Sequence, residues 1–306
     1  MTAGKRTTVP TQSRIETHRL EIETSFTRSG VASVNDLATA EWQAILQDLE
    51  GAQAEFLSQI SHSREYQWPR DPLHTWSRVW EYPYVLHHLC RLRCELAGDR
   101  VPTAVDFGSG VTFFPFVVSQ KGFRVICVDN DPVCQRDLQH AIEKMRSGVN
   151  VQFLLSHGDS IPVPDSSVDV VYSVSVLEHL PDPAAALAEF ARILVPGGLL
   201  LMTFDLDLVP GSETGIGADR YDELLTRLKE HFVCHLPPKS IDHPARVLTS
   251  RSGPFPIERE RQGLSAVWWV LKQQLLKPLL GRKPFVAPYL GCGAVVARRH
   301  HGAAPG

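Results

Sequence analysis

The chain has 306 residues, with 31 Lys and Arg against 34 Asp and Glu, a formal net charge of −3 and 43% hydrophobic residues. That composition is ordinary for a soluble globular protein. It leaves room for one large α/β domain with additions or for two modest ones, and it lacks the global basic field that a nucleic-acid partner requires. No apolar run reaches the roughly 18 residues of a membrane span and the polar N-terminus carries no secretory signal, so a cytoplasmic protein without stable membrane insertion is expected. The six cysteines, at 90, 94, 127, 134, 234 and 292, fit neither a zinc nor a disulfide spacing.

Residues 1–32 begin as a tail rich in Thr, Ser and Arg, within which Leu20, Ile22, Thr24 and Phe26 alternate as in a short strand. From Ser33 a helical period follows through Leu37, Trp42, Ile45, Leu49, Phe56 and Ile60, with Ser33 and Asp36 spaced as a cap and Gly51 as an expected break. This layer either packs plainly on the core, caps a site or joins subunits. Residues 64–84 are dense in aromatics, prolines and charges and cannot form a simple amphipathic element. A helix is expected over 82–96, ended by Gly98.

Residues 103–112 then read as a buried strand, a tight turn at Gly108-Ser109-Gly110 and, from Phe113, the start of a helix. Strand, glycine turn and helix open a nucleotide-binding α/β unit. Phe113 stands where a dinucleotide site would need its third glycine, so NAD and FAD fit poorly. A second strand over 123–128 ends in Asp129, 19 residues after Gly110, close to the distance of about 20 at which a carboxylate meets the ribose hydroxyls. Asp131 and Pro132 are placed to cap and open the next helix. A third strand is expected over 151–155, leading into Asp159 and Ser160. A buried fourth strand follows from Asp165 and runs into Leu177-Glu178-His179. Pro183 starts a helix to 194, and Pro196-Gly197-Gly198 turns into a fifth strand over 199–204 that ends at Asp205. A helix over 221–231, a short strand over 232–235 and a closing strand over 291–298 complete the pattern. The insertion between the last two strands carries an expected helix over 264–280 with Trp268 and Trp269, read as a lid, a dimer contact or, less readily, a membrane-surface helix.

In this order the motifs over 100–205 resemble those of the class I S-adenosylmethionine-dependent methyltransferases of the Rossmann-like, small-molecule type. Asp106-x-Gly108-x-Gly110 is similar to their first motif, and the Leu177-Glu178-His179 segment to the one closing their fourth strand. Thr112 replaces a third glycine present in many relatives, so the contacts of residues 111–114 do not carry over. The resemblance implies an α/β fold: a Rossmann-like, doubly wound, mostly parallel seven-stranded sheet with an N-terminal helical extension and a C-terminal insertion. The expected division is a tail and helical cap (1–84), a cofactor-binding core (85–236), an insertion or lid (237–290) and a closing strand and tail (291–306).

The implied cofactor is S-adenosylmethionine, held by Asp106, Gly108, Ser109, Gly110, Asp129, Asn130, Asp159, Ser160 and Ser175, with Asp129 at the ribose and Asp159 at the adenine amino group. Trp76, Trp80, Glu81 and Tyr82 are expected to cover cofactor and substrate, because rings and a carboxylate suit a sulfonium and an ammonium. The implied reaction moves a methyl group to an O, N or C atom of a small-molecule acceptor such as a natural product, quinone or sugar. The alternatives are a cofactor-binding enzyme of other chemistry, such as methylation-triggered cyclisation, and a macromolecule methyltransferase. The last is disfavoured by the missing Asn-Pro-Pro-Tyr type of motif and the missing basic stripe. In-line displacement at an activated methyl needs positioning and water exclusion more than a metal, and no metal-ligand spacing is present. His179 and Asp205 are the expected proton acceptors, while a structural role for the Leu-Glu-His turn stands as the other reading of His179. A dimer or other homo-oligomer is left open.

Overall fold

The computed structural model describes residues 26, 29–96, 98, 100–145, 150–157, 160–209, 214–234, 247–257 and 289–301. Strand β1 (Gly30–Val31) comes first. At the next turn the Ser33 hydroxyl accepts from the Asn35 N–H and the Asp36 carboxylate accepts from the Ser33 N–H, the reciprocal box expected from their spacing. Helix α1 (Ala40–Gln59) is capped by Thr39 and buries Trp42, Leu49, Gln53 and Phe56 on one stripe. It runs unbroken through Gly51. That glycine lies exposed with open space around its Cβ direction, and the helix-forming residues on either side carry the backbone past it.

Helix α2 (Arg78–Glu95) begins ahead of the expected start and contains Pro83. A proline inside a helix leaves the carbonyl four residues earlier without its donor. Here that carbonyl, Val79 O, accepts from the buried Trp42 indole N–H at 3.3 Å, so the break is repaired by the neighbouring helix. Because α2 spans residues 84 and 85, the expected boundary between cap and core falls inside a single helix.

The remaining elements alternate: β2 (Thr103–Phe107), α3 (Phe114–Gln120), β3 (Arg124–Asp129), α4 (Pro132–Lys144), β4 (Val151–Leu155), β5 (Val168–Val174), α5 (Pro183–Ile193), β6 (Leu194–Asp207), α6 (Ala218–His231), β7 (Phe232–Val233) and β8 (Leu290–Arg299). The sheet order is β1-β8-β6-β5-β2-β3-β4, with β7 also on β8; β2 to β6 are mutually parallel and β8 is antiparallel. Eight strands are thus present among the described residues where seven were expected. The added one is β1, whose Gly30 and Val31 face Ala294 and Gly293. Pro196-Gly197-Gly198 lies within β6 as an irregularity opposite Val168 and Val170, where a turn was expected.

One face of the sheet is covered by α1 to α4 and the other by α5 and α6, each over its own apolar cluster. Cover on both faces explains why the central strands read as continuous apolar runs. The strand order reverses between β2 and β5, and the crevice at their carboxyl ends is where ligands bind in such sheets. Of the alternating segment at 20–26 only Phe26 is described; it is buried between Trp42 and His87, with ring centroids 4.3 and 4.0 Å away. The inserted helix expected over 264–280 lies outside the described residues.

Candidate active site

A cavity of about 550 Å³ opens at that reversal, lined by the glycine turn, Asp106, Asp129, Asn130, Ser175 and His179, and walled on the outside by residues 66–82. The glycine turn follows from backbone demands. Gly108 and Gly110 have φ of +71° and +54°, in the left-handed region that favours glycine, and a Cβ on Gly108 would collide with the Val176 side chain. The Gly108 N–H donates to Val128 O at 2.8 Å, and the Gly110 N–H to Asp129 Oδ2 at 2.9 Å. Asp129 Oδ1 accepts from the Asp131 N–H at 3.0 Å. Backbone N–H groups thus hold both carboxylate oxygens in place, with the Asn130 N–H adding to them, while Asp129 still lines the cavity.

Burial shapes the charges. Asp106, fully enclosed at the floor, is pushed up to about 8 by desolvation, with Asp129 adding to the rise. Asp129 is raised by burial against the backbone N–H bonds that lower it. Arg78 is the one Lys or Arg among the described lining residues. Burial works against its charge, but Glu81, Tyr82 and Asp205 more than offset this and hold it firmly protonated. Its Nη1 donates to Ser77 Oγ at 3.2 Å, to Glu81 Oε2 at 2.5 Å and to Ser175 Oγ, while the Ser175 hydroxyl donates to Glu81 Oε1 at 2.7 Å. Ser175 holds a φ of +48°, backbone strain of a kind that concentrates at functional sites.

The outer wall is pinned to the glycine turn. His62 Nε2 lies 2.9 Å from Val111 O, the Val111 N–H donates to the Tyr66 hydroxyl at 3.1 Å, and the Ser63 N–H donates to Asp137 Oδ2 at 2.8 Å. Trp68, 48% exposed, stands at the mouth with its ring 5.7 Å from that of His179. His179 is held below the usual histidine range by burial and by Arg78, so it is neutral at pH 7. Tyr82 stacks on Phe114 at 4.5 Å and shares a hydrogen bond with Thr112. Thr112 thus serves the wall and does not cap α3.

The cleft gathers Asp106, Gly108, Ser109, Gly110, Asp129, Asn130, Ser175, Tyr82 and His179. Glu81 sits directly behind them through its bonds to Arg78 and Ser175. Trp76 and Trp80 are elsewhere: both are buried, and Trp80 packs between Trp42 and Tyr84 with its indole N–H on Asp36. The helical turn beginning at Arg78 carries residues 78, 81 and 82 to the cleft side and turns residue 80 away. Ser160 is exposed, bridged to His157 and off the cavity lining, and Asp159 lies outside the described residues. Asp205 is beyond the lining, one strand over from Ser175. Tyr66, Trp68 and Arg78 line the site without having been singled out. The start of α2 at Arg78 is the signal that would have found the last of them.

Residues 105–202 match the family model described as a methyltransferase domain. A protein of Mycobacterium sp. (strain KMS), named an uncharacterized methyltransferase, is 33% identical over 133 residues, 39% of this chain and 49% of its own. One of the same name from Mycobacteroides abscessus is 29% identical over 195 residues, 58% of this chain and 72% of its own. Among solved structures, a SAM-dependent methyltransferase from Aquifex aeolicus aligns with a TM-score of 0.43 at 16% identity, over 75% of this chain and 93% of that one. The chain spans about half the length of the first curated relatives it matches.

The core thus carries a methyltransferase domain over residues 105–202, and the cofactor such a domain implies is S-adenosylmethionine. The residues present fit it. Asp129 presents a carboxylate fixed by the backbone to two vicinal hydroxyls, Asp106 offers a carboxyl in a dry floor to a cationic group, and the turn approaches without a Cβ in the way. Among the described residues no helix is long and apolar enough to cross a membrane.

Proposed function

We propose that this protein transfers the methyl group of S-adenosylmethionine to a small-molecule acceptor. What carries the proposal is Asp129, locked by the N–H groups of Gly110 and Asp131 yet open to a cavity of the size of a small-molecule site. In this reading Asp129 accepts from both ribose hydroxyls and the carboxyl of Asp106 takes the methionine ammonium. The open edge of the Arg78 guanidinium takes the methionine carboxylate, Asn130 and Ser156 border the adenine, and the rings of Tyr66 and Tyr82 flank the cation. Bound S-adenosylmethionine supplies an electrophilic methyl on a sulfonium whose leaving group is already activated. The protein's own share is to align the acceptor, exclude water through the wall at residues 66–82, and take a proton at His179 Nε2 or Nδ1 or at the Asp205 carboxylate. A cytoplasmic setting and a division near residues 237 and 290 belong to the same proposal.

Calorimetry with S-adenosylmethionine and with S-adenosylhomocysteine tests it directly. Binding of both is expected in the micromolar range typical of such cofactors, with Asp129→Ala weakening it at least tenfold, on the order of 1.4 kcal/mol or more. Equal affinity in wild type and Asp129→Ala would remove the assignment.

A further inference from the structure

Behind Arg78 and Ser175, on the side of the cleft away from Asp129, two carboxyl groups adjoin. Glu178 follows β5 in the turn of residues 177–179 and Asp205 stands near the end of β6; the Asp205 N–H donates to Glu178 Oε1 at 3.2 Å. Glu178 Oε2 and Asp205 Oδ1 are both enclosed and both lack a hydrogen-bond partner. An unpartnered buried carboxylate oxygen is costly, and the two groups are close enough for Asp205 to act on Glu178 electrostatically. One proton held between them satisfies both at once and leaves the pair with a single negative charge.

Asp205 is half-buried and stands just beyond the cavity lining, behind Arg78 and Ser175. The Ser175 N–H donates to Thr203 O at 2.9 Å. A group seated against Ser175 and Arg78 is therefore about one strand spacing, roughly 4.8 Å, from β6.

We infer that Glu178 and Asp205 share one proton between Glu178 Oε2 and Asp205 Oδ1, and that Glu178 thereby positions Asp205 Oδ2 to take the proton of an acceptor whose nucleophilic atom arrives protonated, a hydroxyl or an ammonium. The inference rests on the methyltransferase reading above. The step balances: the acceptor O–H or N–H bond breaks and its proton joins Asp205 Oδ2, the freed lone pair forms the bond to the methyl carbon, and the carbon–sulfur bond breaks with its electron pair going to sulfur. The proton then passes from Asp205 to solvent. The groups facing this pair support a proton acceptor poised near neutrality. Burial, then Glu81, then Asp207 raise Asp205 to about 7 against Arg78, burial and Asp205 raise Glu178 well above the usual range, and the buried Cys292 thiol of β8 stays protonated beside them.

Two measurements test it. In protein carrying ¹³C-labelled Asp and Glu carboxyls and saturated with S-adenosylhomocysteine, the pair is expected to keep one proton at pH 7, and Glu178→Gln to shift the titration of Asp205 from its wild-type position. Both groups fully ionised at pH 7 would overturn the proposal whether or not an acceptor is known. The second measurement follows S-adenosylhomocysteine release from a matched panel of phenols and primary amines. Asp205→Asn is expected to lower kcat about 100-fold or more with S-adenosylmethionine affinity within twofold of wild type. Glu178→Gln should keep turnover but shift the acid limb of kcat/KM by about one pH unit, because the group that shares the proton with Asp205 is gone, and Glu178→Asp should restore the limb. An unchanged limb in Glu178→Gln, or an unchanged kcat in Asp205→Asn, overturns it. Failure of wild type to bind S-adenosylmethionine would instead sink the methyltransferase reading. Melting temperatures of all three variants confirm that each is folded.

Discussion

Asp106 shows how a single buried carboxyl links ligand and proton. With its range pushed up to about 8, it is largely protonated at pH 7 before a ligand binds, and a cation seated against it favours the ionised form. S-adenosylmethionine binding at pH 7 is therefore expected to release a fraction of a proton. The measurement is calorimetry in buffers of different ionisation enthalpy, and Asp106→Asn should abolish the release. The same shift bears on stability. A carboxyl raised in the folded state holds its proton there while the unfolded chain has lost it, so its contribution is full below the unfolded value near 3.8 and is lost as pH rises towards 8. Asp106→Asn should accordingly melt higher than wild type at pH 8, by roughly 2–4 °C or more, and no higher at pH 4. A lower melting point at pH 8 would mean that the carboxylate is better paired than its surroundings indicate.

Much of this was legible at the residue scale. Gly108, Gly110 and Asp129 announce themselves because a turn with positive φ and a strand-end acid each need one residue type at one spacing. The outer wall did not. Six Trp and Tyr rings crowd residues 66–84, and which of those near the helix start face inward depends on where α2 begins. Placing that start at 82 leaves Trp80 free to face a ligand; starting it at Arg78 sends Trp80 into the core against Trp42 and brings Arg78 to the cleft.

At the scale of elements, α1 and α2 are stitched by an exchange of hydrogen bonds that neither helix contains alone. Pro83 withdraws a donor from Val79 O and the Trp42 indole N–H replaces it. Trp42→Phe should destabilise the protein by about 1–3 kcal/mol, the penalty of an unsatisfied buried carbonyl, in addition to lost packing. Pro83→Ala returns a backbone donor to that carbonyl, so it should be milder in the Trp42→Phe background than in wild type. Urea unfolding of the two single variants and the double variant closes the cycle. Strict additivity would mean that Val79 O is served from elsewhere. The sequence pattern located both helices but not this exchange, since no periodicity reports a donor arriving from another element. Gly51 misled in the opposite sense: a helix breaker by propensity, it costs only about 1 kcal/mol on an exposed face, too little to end a helix that buries Trp42 and Phe56.

Across the whole molecule, the helical order of motifs made the parallel core and its reversal point legible, because alternating strands and helices admit few topologies. The eighth strand was invisible: β1 is two residues long and starts with a glycine, so it has neither length nor alternation to betray it. Its anchor is Phe26, stacked between Trp42 and His87. Phe26→Ala should cost about 3–5 kcal/mol and speed amide exchange at Ala294, which pairs with β1, while leaving exchange in β2 and β3 unchanged. Uniform acceleration across the sheet would show that the arm belongs to the global unfolding unit.

The pairing of β1 with β8 also sets the order in which the chain can be completed. The Val296 N–H reaches the Ser29 hydroxyl at 3.3 Å across 267 residues, so the sheet's outer edge is assembled from the two most distant parts of the described chain. During synthesis the β2 to β6 core can form while the arm waits with nothing to pair against, its β8 partner not yet made. Closing so long a loop comes late and slowly, and until then β6, whose β8 neighbour is still missing, shows an open flank to other nascent chains. Expression at low temperature or with a holdase should therefore raise soluble yield most for variants weakened in β1.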